Sequence, residues 1–138
     1  MDAPTVQPAA EHQVTVYYED TDALGVVYYA NYLRYLERGR SELFADGPAG
    51  IARLNQRGIL VAVYAVNLKF LAPARLGDLC TVRTRTKGGS AYRIKLDQQI
   101  WRDDLQLVAA DVDLVCVDRN FELQEFPEDV LERFGIDA

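Results

Sequence analysis

The chain has 138 residues, of which 49% are hydrophobic and 26% are charged, and its formal net charge at pH 7 is −6. These values are typical of one soluble globular domain, and they exclude an intrinsically disordered chain and a small disulfide-rich protein. An acidic chain without an apolar run of about 20 residues is also expected neither to bind nucleic acid nor to insert into a membrane.

The N-terminal segment contains no basic region followed by an apolar stretch, so we expect no secretory signal and a cytoplasmic location. Residues 1–11 have two prolines and no apolar periodicity, which predicts a flexible tail before a single domain over residues 12–138. The side chains of residues 14–18 then alternate with a period of two, which predicts a β-strand. Turn-forming residues at 20–25 end this strand, and Gly25 permits backbone angles that other residues avoid.

A long helix is predicted over residues 31–44, where apolar residues recur at helical spacing. Gly39 lies in the middle of this helix and costs it about 1 kcal/mol relative to alanine. We therefore expect a neighbouring element to pack closely against Gly39. Residues 46–48 end the helix, and residues 49–56 are predicted to form a short second helix.

The second half of the chain is predicted to be a series of antiparallel strands. Valine and aromatic residues predict a strand over residues 59–70, and two further strands form a hairpin that turns at residues 88–90. The predicted ranges are 79–87 and 91–102 for the hairpin, 105–117 for the last long strand and 127–134 for a terminal helix that begins at a proline.

One long helix followed by four consecutive antiparallel strands predicts an α+β domain in which a strongly curved sheet packs on the helix. Such a sheet leaves its edge strands open to solvent. A dimer that continues the sheet would cover them, so we expect a homo-oligomer.

Several kinds of site find no support in the sequence. His12 is the only histidine and lies in the predicted tail or first strand, so a serine or cysteine nucleophile with a histidine base is poorly supported. Cys80 and Cys116 lie in predicted strands, where we expect buried reduced thiols rather than a disulfide or a metal site. Phosphate-binding glycine loops, zinc ligands and a complete calcium loop are missing from the sequence, so no metal site is predicted.

Three carboxylates, Glu19, Asp20 and Asp22, crowd together before the turn that leads into the long helix. One interpretation is that they bond neighbouring backbone amides and hold the loop. The other is catalytic. Residues 26–29 are apolar or aromatic and suggest a lined pocket, and the helix start near Tyr29 presents unpaired N–H groups and a positive dipole end. A carboxylate facing such donors can hydrolyse an activated acyl group, because the N–H groups hold the developing oxyanion.

Three motifs carry a more specific signal. They are YYEDTDALGVVYYANY at residues 17–32, FLAPARLGD at residues 70–78 and VCVD at residues 115–118. The first is long and ordered, and it closely resembles the signature of hot-dog-fold acyl-CoA thioesterases. The similarity is to the 4-hydroxybenzoyl-CoA thioesterase branch and to the related Tol–Pal-associated short-chain enzymes. It extends over about residues 12–134.

The resemblance implies a five-stranded antiparallel sheet wrapped around one long helix, in chains that form dimers and often tetramers, so a homotetramer is expected. It implies that Asp22 is the catalytic carboxylate and that the backbone N–H of Tyr29 polarises the thioester carbonyl. The residues expected to contact the substrate here are Gly25, Val26, Val27 and Tyr28. Many family members have histidine where this chain has Tyr29, so proton handling here rests on Asp22 and water, with a tyrosine hydroxyl as a further candidate.

A row of basic residues is the second feature with a candidate role in substrate binding. Arg83, Arg85 and Lys87 alternate along one strand and therefore share a face. They either form a solvated sheet face or bind the phosphates of coenzyme A, with Lys87 and Ser90 near the hairpin turn as the candidate contacts.

The function that the resemblance implies is hydrolysis of acyl-CoA thioesters, with short-chain or aromatic acyl groups, to a free acid and coenzyme A. No cofactor is expected, because coenzyme A is part of the substrate. Acyl carrier protein is an alternative carrier of the acyl group and hence a candidate partner. A dehydratase of the same fold is disfavoured by the missing histidine. A non-catalytic acyl-binding or scaffold protein is the alternative from another class.

Overall fold

A computed structural model describes residues 9–137 of the chain. The strands among these residues are β1 (Ala9–Thr15), β2 (Leu60–Phe70), β3 (Leu79–Gly89), β4 (Arg93–Arg102), β5 (Leu105–Val117) and β6 (Leu123–Gln124). The helices are α1 (Asn31–Ser41), α2 (Gly47–Gln56) and α3 (Glu128–Arg133), and a single 3-10 turn, Tyr18–Asp20, follows β1. None of the helices described here is long and apolar enough to cross a membrane.

The strands form one antiparallel sheet in the order β1-β3-β4-β5-β2, with β6 added to β5. Every second side chain of β3 and β4 is buried, and these side chains face the buried side of α1. The prediction of an α+β hot-dog fold, with a sheet wrapped around one long helix, is therefore confirmed. The sheet has six strands rather than five, because two residues after β5 fold back onto it as β6.

The N-terminal boundaries differ from the prediction. Strand β1 begins at Ala9, inside the predicted tail of residues 1–11, because residues 9–11 pair with β3. Residues 1–8 lie outside the described part of the chain. The strand ends at Thr15 rather than near residue 18, since the Asp20 carboxylate accepts a hydrogen bond from the Tyr17 N–H and draws the chain into the 3-10 turn.

Helix α1 comes closest to the sheet at Gly39, as predicted. A Cβ atom at Gly39 would overlap the Val82 side chain of β3 and lie 3.2 Å from Thr84 Oγ1. A buried hydrogen bond strengthens the same contact, because Gln98 Nε2 donates to the carbonyl oxygen of Leu36 in α1 at 2.8 Å. Close packing at Gly39 and one hydrogen bond thus hold the helix against β3 and β4.

We predict that Gly39→Ala destabilises the protein, although alanine is the better helix former. Overpacking of this kind costs about 1–3 kcal/mol of the free energy of unfolding, which chemical denaturation measures. Val82→Ala provides the matched background, because it removes the methyl group that the new Cβ would meet. In that background Gly39→Ala is expected to be neutral or stabilising by up to about 1 kcal/mol. Equal destabilisation in both backgrounds would contradict the packing argument.

Candidate active site

Asp22 lies in a tight turn between two short extended segments. Its N–H donates to the carbonyl oxygen of Val26 at 2.9 Å, and its own carbonyl oxygen accepts from the Gly25 N–H at 3.1 Å. Its Oδ1 atom accepts from the Leu24 N–H at 2.8 Å. Gly25 has a φ of +78°, a left-handed conformation that glycine adopts without strain. The turn chemistry predicted for residues 20–25 is therefore present.

The two segments beside the turn present one face to solvent and one to the core. Thr21 pairs with Val27 in antiparallel fashion, so Asp22, Val26 and Tyr28 lie on the opposite face. Val27 is only 4% exposed, whereas Asp22 and Tyr28 are exposed. The Val27 N–H also donates to the Ala74 carbonyl oxygen. The Val27 side chain is thus buried in the single chain, and its contact with the substrate stays a prediction.

Asp20 holds the turn rather than facing a substrate. One carboxylate oxygen accepts from the Tyr17 N–H at 2.9 Å. Its carbonyl oxygen accepts from both the Tyr28 N–H and the Asn31 side-chain amide, each at 2.9 Å. Asn31 is the first residue of α1, so this contact joins the turn directly to the start of the helix. The interpretation of Asp20 as a structural residue is confirmed.

The start of α1 leaves backbone donors unused. The N–H groups of Asn31, Tyr32 and Leu33 donate to carbonyl oxygens three residues earlier. No acceptor within residues 9–137 bonds the Tyr29 N–H, and no side chain caps the helix at Ala30. Asp22 faces Val26 across the turn, so Tyr28 is its diagonal neighbour, about 7–8 Å away between Cα atoms. Asp22 therefore shares a face of the turn with Tyr28, the residue before the unused Tyr29 donor.

A loop between β2 and β3 supports this surface from the other side. The carbonyl oxygen of Gly25 accepts from the Leu76 N–H at 3.2 Å, and Val26 bridges to Arg75. The buried Tyr32 hydroxyl of α1 accepts from the Ala74 N–H at 3.0 Å. Loop, turn and helix start are thus bonded to one another.

Asp78 and Arg102 brace that loop. Asp78 Oδ2 accepts from the Arg75 N–H at 2.8 Å and from the Arg102 guanidinium at 2.7 Å. Partial burial raises the pKa of Asp78, but these two hydrogen bonds outweigh it, and the pKa is lowered overall. The motif at residues 70–78 marks the loop in the sequence. The role of Arg102, which lies 24 residues from Asp78, carries no local signal and was missed.

Exposed aromatic rings border Asp22. The Tyr28 and Tyr29 ring centroids are 4.9 Å apart, and Tyr29 meets Phe70 edge-on at 6.2 Å. Interaction with the neighbouring Tyr29 phenol raises the pKa of Tyr28. In the single chain these rings form an open apolar surface rather than the closed pocket that the sequence suggested.

Lys87 and Ser90 lie far from this surface in the same chain. Lys87 is nine residues beyond Asp78 along β3, a distance of about 30 Å at the rise of an extended strand. Its ammonium group bonds Asp111 Oδ1 at 2.7 Å, while Ser90 Oγ accepts from the Tyr92 N–H at 3.2 Å within the hairpin turn. Arg83 and Arg85 are also paired with carboxylates of adjacent strands. These pairs favour the interpretation of the basic row as a solvated sheet face.

The other nucleophiles and ligands lie outside the surface around Asp22. Cys80 and Cys116 are buried and not in a disulfide, as predicted, and burial raises the pKa of the Cys80 thiol to about 11. His12 is on β1 and lines a groove with Asp20 and Arg38. Within residues 9–137 no cluster of three His, Cys, Asp or Glu side chains is arranged to hold a metal ion.

Comparisons with known proteins identify the family and support the fold. The sequence matches a family model described as the thioesterase-like superfamily over residues 16–134. It is 34% identical over 123 residues to the acyl-CoA thioesterase YbgC of Haemophilus influenzae, covering 88% of this chain and 90% of that protein. It is 42% identical over 86 residues to the Helicobacter pylori protein of the same name, a match that spans 62% of each chain. A crystal structure of a probable thioesterase from Bartonella henselae shares 30% identity and a TM-score of 0.80, over 86% of this chain and 99% of that one.

Proposed function

The chain belongs to the thioesterase-like superfamily, and we propose that it hydrolyses acyl-CoA thioesters with the Asp22 carboxylate and the Tyr29 backbone N–H. The observation that carries this proposal is that a solvent-facing carboxylate and an unused helix-start donor both belong to the bonded unit of turn, loop and helix start. The relatives named acyl-CoA thioesterase support the choice of a coenzyme A ester as the substrate.

The proposed reaction needs only Asp22, water and the helix start. One Asp22 oxygen is held by the Leu24 N–H, and no hydrogen bond within residues 9–137 occupies the other oxygen. That oxygen either takes a proton from an attacking water, or attacks the thioester carbonyl itself, which breaks the C–S bond, expels the thiolate and forms a mixed anhydride. Water then hydrolyses this anhydride to the free acid and Asp22, and the proton that is released goes to the thiolate. In the first route the hydroxide adds to the carbonyl carbon, and the Tyr29 N–H holds the resulting oxyanion. Collapse expels the thiolate, which takes up the proton from Asp22. The proposed reaction therefore requires no metal and no cofactor.

The acyl group proposed for this surface is short-chain or aromatic. Tyr28, Tyr29 and Phe70 provide flat apolar faces beside Asp22, and aromatic pairs of this kind favour another ring or a small aliphatic group. Lys87 and Ser90 do not enter the proposal, because they lie about 30 Å along β3 from the loop that supports Asp22.

A second copy of the chain is proposed to close the open surface. Strand β2 is at the edge of the sheet, and four of its large side chains are exposed, namely Val63, Tyr64, Val66 and Phe70. An unpaired edge with exposed apolar side chains is a site for pairing with another chain. Phe70 belongs both to this edge and to the aromatic surface beside Asp22, so pairing along β2 would bury part of the proposed acyl site.

A reducing compartment such as the cytoplasm is proposed for the protein. The two cysteines among the described residues are separate, buried thiols rather than a disulfide, which is the usual state in such compartments. Fractionation of cells with an antibody against the protein tests this location, and recovery in an oxidising compartment would contradict it.

Asp22→Asn is predicted to lower kcat for thioester hydrolysis about 10²–10⁴-fold, because the amide is neither a base nor a nucleophile. The substituted side chain keeps an amide oxygen that can accept from the Leu24 N–H, so the fold is expected to remain intact. Thiol release from a panel of short-chain, aromatic and long-chain acyl-CoA esters and one acyl carrier protein ester measures the effect.

Glu19→Gln is the matched control for Asp22→Asn. It removes one negative charge, as Asp22→Asn does, but at a position three residues earlier in the chain. The Glu19 carboxylate makes no hydrogen bond within the described residues, so near-wild-type rates are expected. Near-wild-type rates for Asp22→Asn as well would refute the assignment. If the wild-type protein released thiol from none of the esters, a non-catalytic acyl-binding role would replace the proposal.

The contribution of the Tyr29 N–H is separable from that of its ring. Tyr29→Pro removes both, whereas Tyr29→Ala removes only the ring. We predict that Tyr29→Pro lowers kcat about 10²–10³-fold further than Tyr29→Ala, as the loss of one oxyanion donor does. Tyr29 does not have a positive φ, and its N–H bonds no acceptor within residues 9–137, so proline breaks no hydrogen bond there, and circular dichroism checks that the variant folds. Equal kcat values in two folded variants would eliminate this donor from the mechanism.

Pairing along β2 predicts a particle mass in light scattering that is at least twice the 15.5 kDa of one chain. Val66→Glu places a charge on the β2 edge and is expected to shift the mass to that of a single chain, with loss of hydrolysis. Leu123→Glu is the control, since Leu123 is also an exposed apolar residue but lies on β6. A wild-type mass of one chain at micromolar concentration would rule out the dimer.

A further inference from the structure

A small cavity lies between α2 and α3, beside the end of α1. Its volume is about 150 Å³. Four apolar side chains, Phe44, Leu54, Val130 and Phe134, form its floor, and each of them is at most 8% exposed. The two phenylalanine rings meet edge-on with centroids 4.9 Å apart, so the floor is rigid and aromatic. An apolar cavity of about 150 Å³ is large enough to hold benzene in a folded protein.

The mouth of the cavity is charged and exposed. Arg53, Arg57 and Arg133 line it together with Asp46 and Asp129, which leaves a local charge of +1 in a chain whose net charge is −6. The cavity mouth thus carries a positive charge, whereas the chain as a whole carries a negative one. A site with an apolar floor and a few polar groups at its rim is the usual arrangement for binding a small molecule.

Two of the three arginines have guanidinium N–H groups that bond no acceptor within residues 9–137. Arg53 is paired with Asp46, so its charge is already balanced. Arg133 uses only its Nε atom, which donates to the Leu43 carbonyl oxygen at 2.9 Å. Neither Arg57 nor Arg133 forms a salt bridge with a carboxylate within residues 9–137. A planar guanidinium with unused N–H groups is well suited to bind a carboxylate, because the two can form parallel hydrogen bonds.

We propose that this cavity binds a small organic carboxylate with a compact apolar body, of about the size of benzoate. The ring or branched chain lies on the phenylalanine floor, and the carboxylate meets Arg57 and the free nitrogens of Arg133. Inorganic phosphate lacks the apolar body that fills the floor, and a neutral hydrocarbon leaves the guanidinium groups without a partner.

The cavity is separate from the candidate active site. Asp22 and Tyr29 lie at the start of α1, whereas Phe44 lies beyond its end, and the 11 residues of the helix span about 16 Å. No residue of the Asp22 turn lines the cavity. Binding there therefore does not depend on the proposed hydrolysis, and the two proposals can fail independently.

The test is a titration of the full-length protein with sodium benzoate, followed by amide chemical shifts in NMR. Saturable shifts are expected in residues 44–57 and 129–134, with a Kd on the order of 1 mM for a ligand of this size. Benzamide has nearly the same shape without the charge and is expected to bind at least about tenfold more weakly. Saturation that is confined to residues near Asp22 would overturn the proposal.

Variants at the mouth and floor locate the site. Arg57→Ala is expected to raise the Kd about tenfold, because it removes a charge-assisted hydrogen bond. Asp129→Asn is expected to lower the Kd, since it removes a negative charge from the cavity mouth that repels a carboxylate ligand. Val130→Phe fills the cavity and is expected to abolish binding, with thermal unfolding as the check that it folds. All three are expected to keep the wild-type kcat/KM for thioester hydrolysis.

Two outcomes would refute the cavity site. Arg85→Ala is the matched control, because Arg85 is an exposed arginine on β3 that pairs with Asp97 away from the cavity. If Arg85→Ala weakened benzoate binding as much as Arg57→Ala, the effect would reflect overall charge. If Val130→Phe folded and still bound benzoate with the wild-type Kd, the ligand would not occupy the cavity.

Discussion

The close approach of α1 to the sheet at Gly39 is the constraint on which the candidate site depends. Without a side chain at Gly39, the helix settles against Val82, and Gln98 bonds the Leu36 carbonyl oxygen one turn away. These contacts hold the helix in one position across β3 and β4. Its first turn consequently meets the loop before β3, where the Tyr32 hydroxyl bonds the Ala74 N–H. The position of the Tyr29 N–H at the helix start is therefore set by packing at Leu36 and Gly39, about two and three turns further along.

The helix start also shows how stability and chemistry compete for the same backbone groups. A serine, threonine or aspartate at the capping position typically stabilises a helix by about 1 kcal/mol, because its side chain bonds the first free N–H groups. This chain has Ala30 there, with no side-chain cap, and no acidic residue follows in the first turn. Asn31 instead turns its amide toward the Asp20 carbonyl oxygen. Asn31, the first residue of the helix, thus joins the turn to α1 without bonding the Tyr29 N–H, which lies before the capping position.

Local patterns in the sequence predicted those parts of the structure that depend on interactions between residues close together in the chain. Helical spacing located α1, alternation and turn residues located β2 to β5, and the glycine in α1 predicted close packing. Residues 9–11 were assigned to a tail, since only pairing with β3 makes them a strand. The sequence could not tell which of Val26 and Val27 faces the core, because the answer depends on the loop that contacts them. The bond from Arg102 to Asp78 and the cavity between α2 and α3 arise from contacts between distant segments, which no window of sequence displays.

The two ends of α1 have opposite electrostatic character, and this difference gives each its own chemistry. The helix start carries a partial positive charge and free donors, which favour a developing oxyanion. The helix end carries a partial negative charge, which favours a cation, and Arg133 of α3 accordingly bonds the Leu43 carbonyl oxygen just beyond it. That bond explains why one arginine lies at the cavity mouth without any ligand. It does not explain Arg57, which belongs to the end of α2, lines the same cavity and bonds no carboxylate within residues 9–137. The end of α2 also favours a cation, and the Arg57 guanidinium therefore remains free for the proposed carboxylate.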